Sequence, residues 1–412
     1  MKVLMSAYAC EPDKGSEPEV GWKWMSQMAE DHEVIVLTRA NNRPVIEAYL
    51  DAHPGEASGV RFEYFDLGKR ALRLKKRCNL FNWYYILWQY GARNEIKRLV
   101  QEQKVDLIHL VTFASFRYPV FLNNADAPVV WGPVGGAELA PWKLLVHRIK
   151  LTALFKESVR NVGTYLSSLL VARVDPTINT GGVALASTPG TRAILMSKGI
   201  HAELMPTIGV DRLNRPESES KRVSDGAIKF LYVGRLIYMK GVHFLLEALS
   251  DPRLSNVQLS IVGDGNERAW LERLAVKLSV DKQVSFVGHV PQHALADIYR
   301  QHDVLVVPSM YESGGLTVLE AFAHKLPAIV TEVGGLEMSV DDQCGIRVPV
   351  TRGREFVEVL ADAMVFYEKN PEMVKCHGER GFLKLIEKYS WKSKKEVMNR
   401  CYEQVARSAH GI

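Results

Sequence analysis

Short apolar, β-branched runs alternate along this chain with longer stretches of helical spacing. In the first half, Val3–Ala7, Val34–Thr38, Val60–Phe65, Val105–Val111 and Val129–Gly132 read as strands, and Glu19–Ala29 and Glu95–Gln103 as helices. Runs that are apolar throughout suit strands covered on both faces, so the alternation predicts α/β parallel sheets. Residues 215–226 (RPESESKRVSDG) are polar, charged and strand-free, and read as a linker between domains. A second series then begins, with strands predicted at Ile228–Val233, Gln258–Val262, Val284–Val287, Val304–Val307, Ala328–Thr331 and Gly345–Val348. The expectation is two doubly wound, Rossmann-like domains, 1–214 and 227–390. The carboxyl ends of their strands would face each other across a ligand cleft.

Composition narrows the setting. The 412 residues suffice for two full cores, and the net charge of +5 is modest. No nucleic-acid-binding pattern accompanies that charge, so nucleic acid is not an expected partner. Five dispersed cysteines without a CxxC pair argue against a zinc site or disulfide framework and fit a reducing cytosol. The N-terminus lacks the apolar core of a signal peptide, and no window approaches 18 uninterrupted apolar residues. The expected location is cytoplasmic, with one qualification from charge patterning. Residues 69–88 join six basic side chains (Lys69, Arg70, Arg73, Lys75, Lys76, Arg77) to the aromatic run Phe81–Trp88, and residues 142–160 form a basic amphipathic stretch. Both suit an anionic membrane surface, which would make the protein peripheral on the inner face of the cell membrane. Each could equally be a solvated basic face whose aromatics belong to the core.

Candidate chemistry gathers where the second series of strands ends. Gly234, Arg235 and Lys240 follow the first strand, and a cation pair there can neutralise a diphosphate leaving group. Gly263 and Gly265 form a second strand-end turn, and Gly288-His289 a third that could meet a nucleobase. Glu312 lies in the turn after Val304–Val307. Gly314, Gly315 and Leu316 then lead into a helix whose positive end favours phosphate. Glu320 follows eight residues after Glu312, on roughly the same face.

These residues, in this order and spacing, resemble glycosyltransferase family 4, through Gly234-Arg235-Leu236 with Lys240-Gly241, the Gly263-Asp264-Gly265 turn, and Glu312 and Glu320 as E-x7-E. Gly15-Ser16-Glu17-Pro18, Thr112–Pro119 and Gly132–Gly136 are similar to its bacterial polysaccharide-type branch. The resemblance implies a GT-B fold and a retaining, metal-independent transfer. Arg235 and Lys240 would bind the donor diphosphate, Glu312 the donor sugar, the backbone of Gly314, Gly315 and Leu316 sugar and phosphate, and Glu320 the ribose. Gly15 and Ser16 would approach the diphosphate from the first domain, onto which a C-terminal helix (about 391–410) would pack back. The chain departs from the family at Ser313-Gly314, where many members carry Pro-Phe, and at Val111, where many carry histidine. His109, Thr112 and Arg117 are acceptor-side candidates; for His109 the alternative is a satisfied core histidine.

The implied function is transfer of a sugar from a nucleotide diphosphate sugar, UDP being the commoner base, to a lipid-linked or growing cell-surface glycan, with no cofactor. Two alternatives stay open: an epimerase or hydrolase acting on the nucleotide sugar alone, and a non-catalytic nucleotide-sugar-binding scaffold at a membrane.

Overall fold

The computed structural model describes residues 1–68, 71–72, 81–122, 126–147, 151–170, 181–210 and 227–410. The basic cluster at 69–77, apart from 71–72, and the linker at 215–226 lie outside the described residues. The chain divides into two compact units, each built on a parallel sheet.

Unit 1 comprises Met1–Ala137, Gly163–Gly209 and Trp391–Ile412. Its strands are β1 (Lys2–Ser6), β2 (Glu33–Arg39), β4 (Val60–Phe65), β5 (Leu107–Leu110), β6 (Val129–Val134), β7 (Val183–Ala186) and β8 (Ala202–Leu204); β3 (Pro54–Ala57) lies outside the sheet. The sheet order is β4-β2-β1-β5-β6-β7-β8. Alternate residues of β1 enter opposite cores. Leu4 packs with Tyr84, Tyr85 and Trp88, whereas Val3 and Met5 pack with Trp22, Trp24 and Met28. The aromatic run therefore largely joins the core: the helix Phe81–Gln103 buries Tyr84, Tyr85 and Trp88 and leaves Trp83 and Leu87 exposed. The C-terminal helix Trp391–His410 inserts Trp391, Met398, Tyr402 and Val405 into the second of these cores.

Unit 2 comprises Glu138–Val162 and Val210–Ser390. Its strands are β9 (Lys229–Val233), β10 (Gln258–Val262), β11 (Val284–Gly288), β12 (Val304–Val307), β13 (Ala328–Thr331) and β14 (Gly345–Val348), in the order β11-β10-β9-β12-β13-β14. Successive strands run outward from β9 on one side and from β12 on the other, so the β9/β12 boundary is a topological switch point.

The boundary differs from the sequence expectation of a domain at 1–214, because residues 138–162 belong to unit 2. Ala140, Leu144 and Leu145 enter its core, Tyr238 donates a hydrogen bond to the Leu145 carbonyl (3.1 Å), and His147 meets Glu247 at 2.7 Å. Among the described residues, no helix is long and apolar enough to cross a membrane.

His109 on β5 is fully enclosed in unit 1. Its Nε2 lies 2.8 Å from the Gly132 carbonyl and its Nδ1 2.6 Å from the Tyr402 hydroxyl. A carbonyl only accepts, so Nε2 carries the proton and Nδ1 accepts from Tyr402. This ring is a satisfied core group that ties the C-terminal helix to the sheet; it is corrected from the acceptor-side set. Burial pushes its pKa down to about 4. An unfolded histidine titrates near 6.5, so the unfolded chain takes up a proton first as pH falls. The His109 contribution is then complete above about pH 6.5 and lost toward pH 4, a change of roughly 3 kcal/mol. Melting temperatures measured across that window should fall for the native protein and fall less steeply for His109→Gln.

Candidate functional site

The site is built on unit 2, where β9 and β12 end side by side. The backbone after β9 passes through Gly234 and Arg235 to a short 3-10 turn, Tyr238–Lys240, and then to the helix Val242–Leu249. The backbone after β12 passes Ser309 and Glu312 to the helix Leu316–Ala323. Between them lies a cavity of about 220 Å³, lined by Arg235, Lys240, Ser309, Glu312, Leu316 and Thr317 with the adjoining strand ends. That volume suits a phosphate or sugar fragment and is smaller than most sites for a whole drug-sized ligand.

Close backbone approach sets this geometry. Gly241 has φ +68°, and a Cβ there would stand 2.0 Å from the Pro308 carbonyl oxygen. The Lys240 turn and the end of β12 can therefore lie against each other only with glycine at this point. Gly263 has φ +130°, with a would-be Cβ 1.9 Å from the Gly234 carbonyl, which presses the β10 turn onto the β9 turn. Gly265 and Asp264 continue that turn, with the Leu236 amide donating to the Asp264 carbonyl at 2.8 Å.

The charges are arranged for an anion. Lys240 Nζ is ion-paired with Glu312 Oε2, so the carboxylate is held inside the cavity wall and the ammonium is shared with it. Arg235 is exposed at the rim. Leu316 and Thr317 stand in the first turn of their helix, where amide groups have no intrahelical acceptor and the helix end is positive. Tyr232 is buried below, and its hydroxyl donates to the Arg235 carbonyl at 3.1 Å. Burial first, and then the Glu312 charge, push the Tyr232 pKa upward, so the phenol stays protonated. Ser309 is fully buried, and its hydroxyl finds no hydrogen-bond partner among the described residues. A buried hydroxyl left unpaired costs about 1–3 kcal/mol, and this one stands in the wall of the cavity.

The cavity thus brings together Gly234, Arg235, Lys240, Glu312 and Leu316 from the sequence-derived set. Glu320 stands beyond its lining, one carboxylate oxygen receiving Gln292 Nε2 (2.7 Å) and the other the Tyr299 hydroxyl (2.8 Å). Those bonds fix its orientation. His289 is exposed after β11, and Gly314 and Gly315 precede the helix Leu316–Ala323 without lining the cavity. Gly15 and Ser16 open the helix Ser16–Ala29 in unit 1. Thr112 is buried there, its hydroxyl accepting the Ala9 amide at 3.1 Å, and Arg117 Nε donates to the Gly136 carbonyl at 2.8 Å. Thr112 is consequently a strut between two loops, corrected from the acceptor-side set for the same reason as His109.

Sequence reasoning passed over Ser309 and Thr317, and it read residues 142–160 as a basic amphipathic stretch without linking them to the Glu312 turn. Arg160 places its guanidinium 4.0 Å from the centre of the Tyr311 ring, next to Glu312, and Glu138 approaches Gly334, whose own would-be Cβ lies 2.2 Å from the Glu312 carbonyl. The segment therefore buttresses the Glu312 turn. A basic residue after an apolar run gives no hint of this partner.

A two-sheet architecture of this kind with such a strand-end cavity is the GT-B class. Its likeness to solved structures spans both units. Sucrose-phosphate synthase from Thermosynechococcus elongatus superimposes with a TM-score of 0.62 at 20% identity, covering 98% of each chain. Anabaena HepE in complex with UDP gives 0.60 at 14% identity, covering 98% of this chain and 100% of that one. Residues 214–380 match the family model of glycosyl transferases group 1. An uncharacterised glycosyltransferase of Methanocaldococcus jannaschii is 33% identical over 195 residues, 43% of this chain and 45% of its own. The first curated relatives are thus matched over less than half their length.

The close approach at Gly241 yields a direct test. Gly241→Ala should destabilise the protein by at least about 2 kcal/mol, through both the clash and the unfavourable φ. Denaturant unfolding would read this as a lower midpoint.

Proposed function

We propose that the protein is a glycosyltransferase that moves a sugar, with retention of anomeric configuration, from a nucleotide diphosphate sugar to a lipid-linked or growing cell-surface glycan. The observation that carries the reading is the convergence of Arg235, Lys240 and Glu312 on one cavity at the β9/β12 switch point. UDP is the donor base to test first, since a structural neighbour was solved with it. The reading places the work in the cytoplasm, in polysaccharide assembly.

In this account the donor diphosphate enters against Arg235 and Lys240 and competes with Glu312 for the ammonium. Cleavage of the sugar–phosphate bond leaves charge on the departing phosphate. Fixed cations and helix-end amides stabilise that charge more than they stabilise the bound donor, which lowers the barrier. Glu312, released from Lys240, accepts hydrogen bonds from sugar hydroxyls. Ser309 offers its hydroxyl to the same ligand, ending its isolation. Glu320, held by Gln292 and Tyr299, accepts from the ribose. Arg235 and Lys240 take the place a metal fills in other transferases, so EDTA should leave turnover unchanged.

Two substitutions separate the roles. Glu312→Ala should lower kcat by roughly a hundredfold or more while keeping nucleotide affinity within a few-fold. Glu320→Ala should weaken nucleotide binding about tenfold, equivalent to about 1.4 kcal/mol. Titration calorimetry with UDP, together with release of UDP from UDP-sugars with and without glycan acceptor, would measure both. Unchanged turnover in both variants would contradict the assignment, and full release without acceptor would favour a hydrolase.

A further inference from the structure

The helix Leu151–Leu170 is amphipathic the wrong way round for a water-soluble protein. Glu157, Asn161 and Thr164 are buried at 6%, 7% and 3% exposure, whereas Phe155, Val159 and Val162 are exposed at 72%, 56% and 55%. Positions 155, 159 and 162, continued by Leu166 at 54%, lie at i, i+4, i+7 and i+11, so they form one row along the helix. Two of these inward side chains are tied down where they lie. Asn161 pairs with both backbone groups of Ala140, donating to the carbonyl (3.1 Å) and accepting from the amide (3.3 Å). Glu157 is ion-paired with Arg160, whose guanidinium stacks on Tyr311 beside the cavity. The orientation is thereby fixed by the polar contacts, and no element among the described residues covers the apolar row. Water would penalise that row by the transfer free energy of every side chain in it.

We infer that this row is the surface by which the protein docks onto an anionic lipid bilayer. Charge decides between lipid and a second copy of the chain. Residues 142–166 carry five lysines and arginines (Lys143, Arg148, Lys150, Lys156, Arg160) against the single acid Glu157. Just upstream, Trp142 and Val146 are about half exposed. An apolar row in a segment whose sequence carries a clear excess of basic residues, with an exposed tryptophan upstream, suits headgroups and the acyl boundary. Two copies of so positively charged a segment would repel one another in a symmetric dimer. The helix so docked holds Tyr311, and with it the Glu312 turn, next to the surface from which a lipid-linked substrate is reached.

The test needs no glycosyl transfer, so it stands apart from the proposed reaction. Flotation would compare vesicles of phosphatidylcholine alone with vesicles also containing phosphatidylglycerol, over a range of salt. The native chain should bind the anionic vesicles, less so as salt rises. Phe155→Asp with Val159→Asp should reduce binding at least about tenfold without lowering the melting temperature, and Phe155→Trp should keep it. Undiminished binding by the double variant would overturn the proposal. So would a lowered melting temperature, which would mean the row is packed within the protein. A native dimer that the double variant dissociates, with no vesicle binding by either, would assign the row to a second copy.

Discussion

Two neighbouring parallel strands whose connections leave in opposite directions must open a gap at their carboxyl ends, and in unit 2 that gap lies between β9 and β12. Everything chemical in the unit is hung on it. The gap exposes strand-end amides and the first turn of the helix Leu316–Ala323, which makes it positive before any side chain is considered. Arg235 and Lys240 add charge from one lip, and Glu312 answers from the other. Gly241 allows the two lips to approach within the reach of an ammonium and a carboxylate. A side chain at that point would separate them, and the ion pair would go with it.

The buried polar groups fall into two sorts. Some are complete in themselves: His109 between Gly132 and Tyr402, Thr112 with Ala9, and Asn161 with Ala140. Such groups fix one arrangement of loops and helices, since moving either partner strands the other without a bond. Ser309 is of the second sort, enclosed yet unbonded, and it stands in the cavity wall. Glu312 is intermediate, bonded to a lysine that a stronger anion would claim. Ser309 and Glu312 together leave the cavity an unfinished site, and the first sort make the scaffold around it stiff.

Much of the second unit was legible in the chain because its strands are short runs rich in apolar and β-branched residues, most of them closed by glycine or proline. Gln258–Val262, Val304–Val307, Ala328–Thr331 and Gly345–Val348 fall on the residues expected. In unit 1, β7 and β8 escaped notice, since Val183–Ala186 and Ala202–Leu204 are short and alanine-rich and carry little strand signal. The assignment of 138–162 to unit 2 was hidden for a different reason. It depends on bonds to the Leu145 carbonyl and to Ala140, and a periodic pattern does not announce backbone partners. The Leu151–Leu170 helix shows the limit of amphipathic reasoning: periodicity marks two faces, but which of them turns inward depends on the polar partners waiting there. Of the candidate chemistry, the residues nearest the strand ends of β9 and β12 were found from spacing, whereas Ser309 was invisible as one more serine after a proline.

The central claim is that the unit 2 cavity receives the diphosphate of a nucleotide through Arg235 and Lys240. Thermal denaturation with UDP, in EDTA, on the native chain and on Lys240→Ala tests it most directly, because a ligand that binds only the folded state must stabilise it. The account predicts a clear rise in melting temperature for the native chain and a much smaller rise for the variant. No rise at millimolar UDP, GDP or ADP, or an equal rise in both proteins, would contradict it.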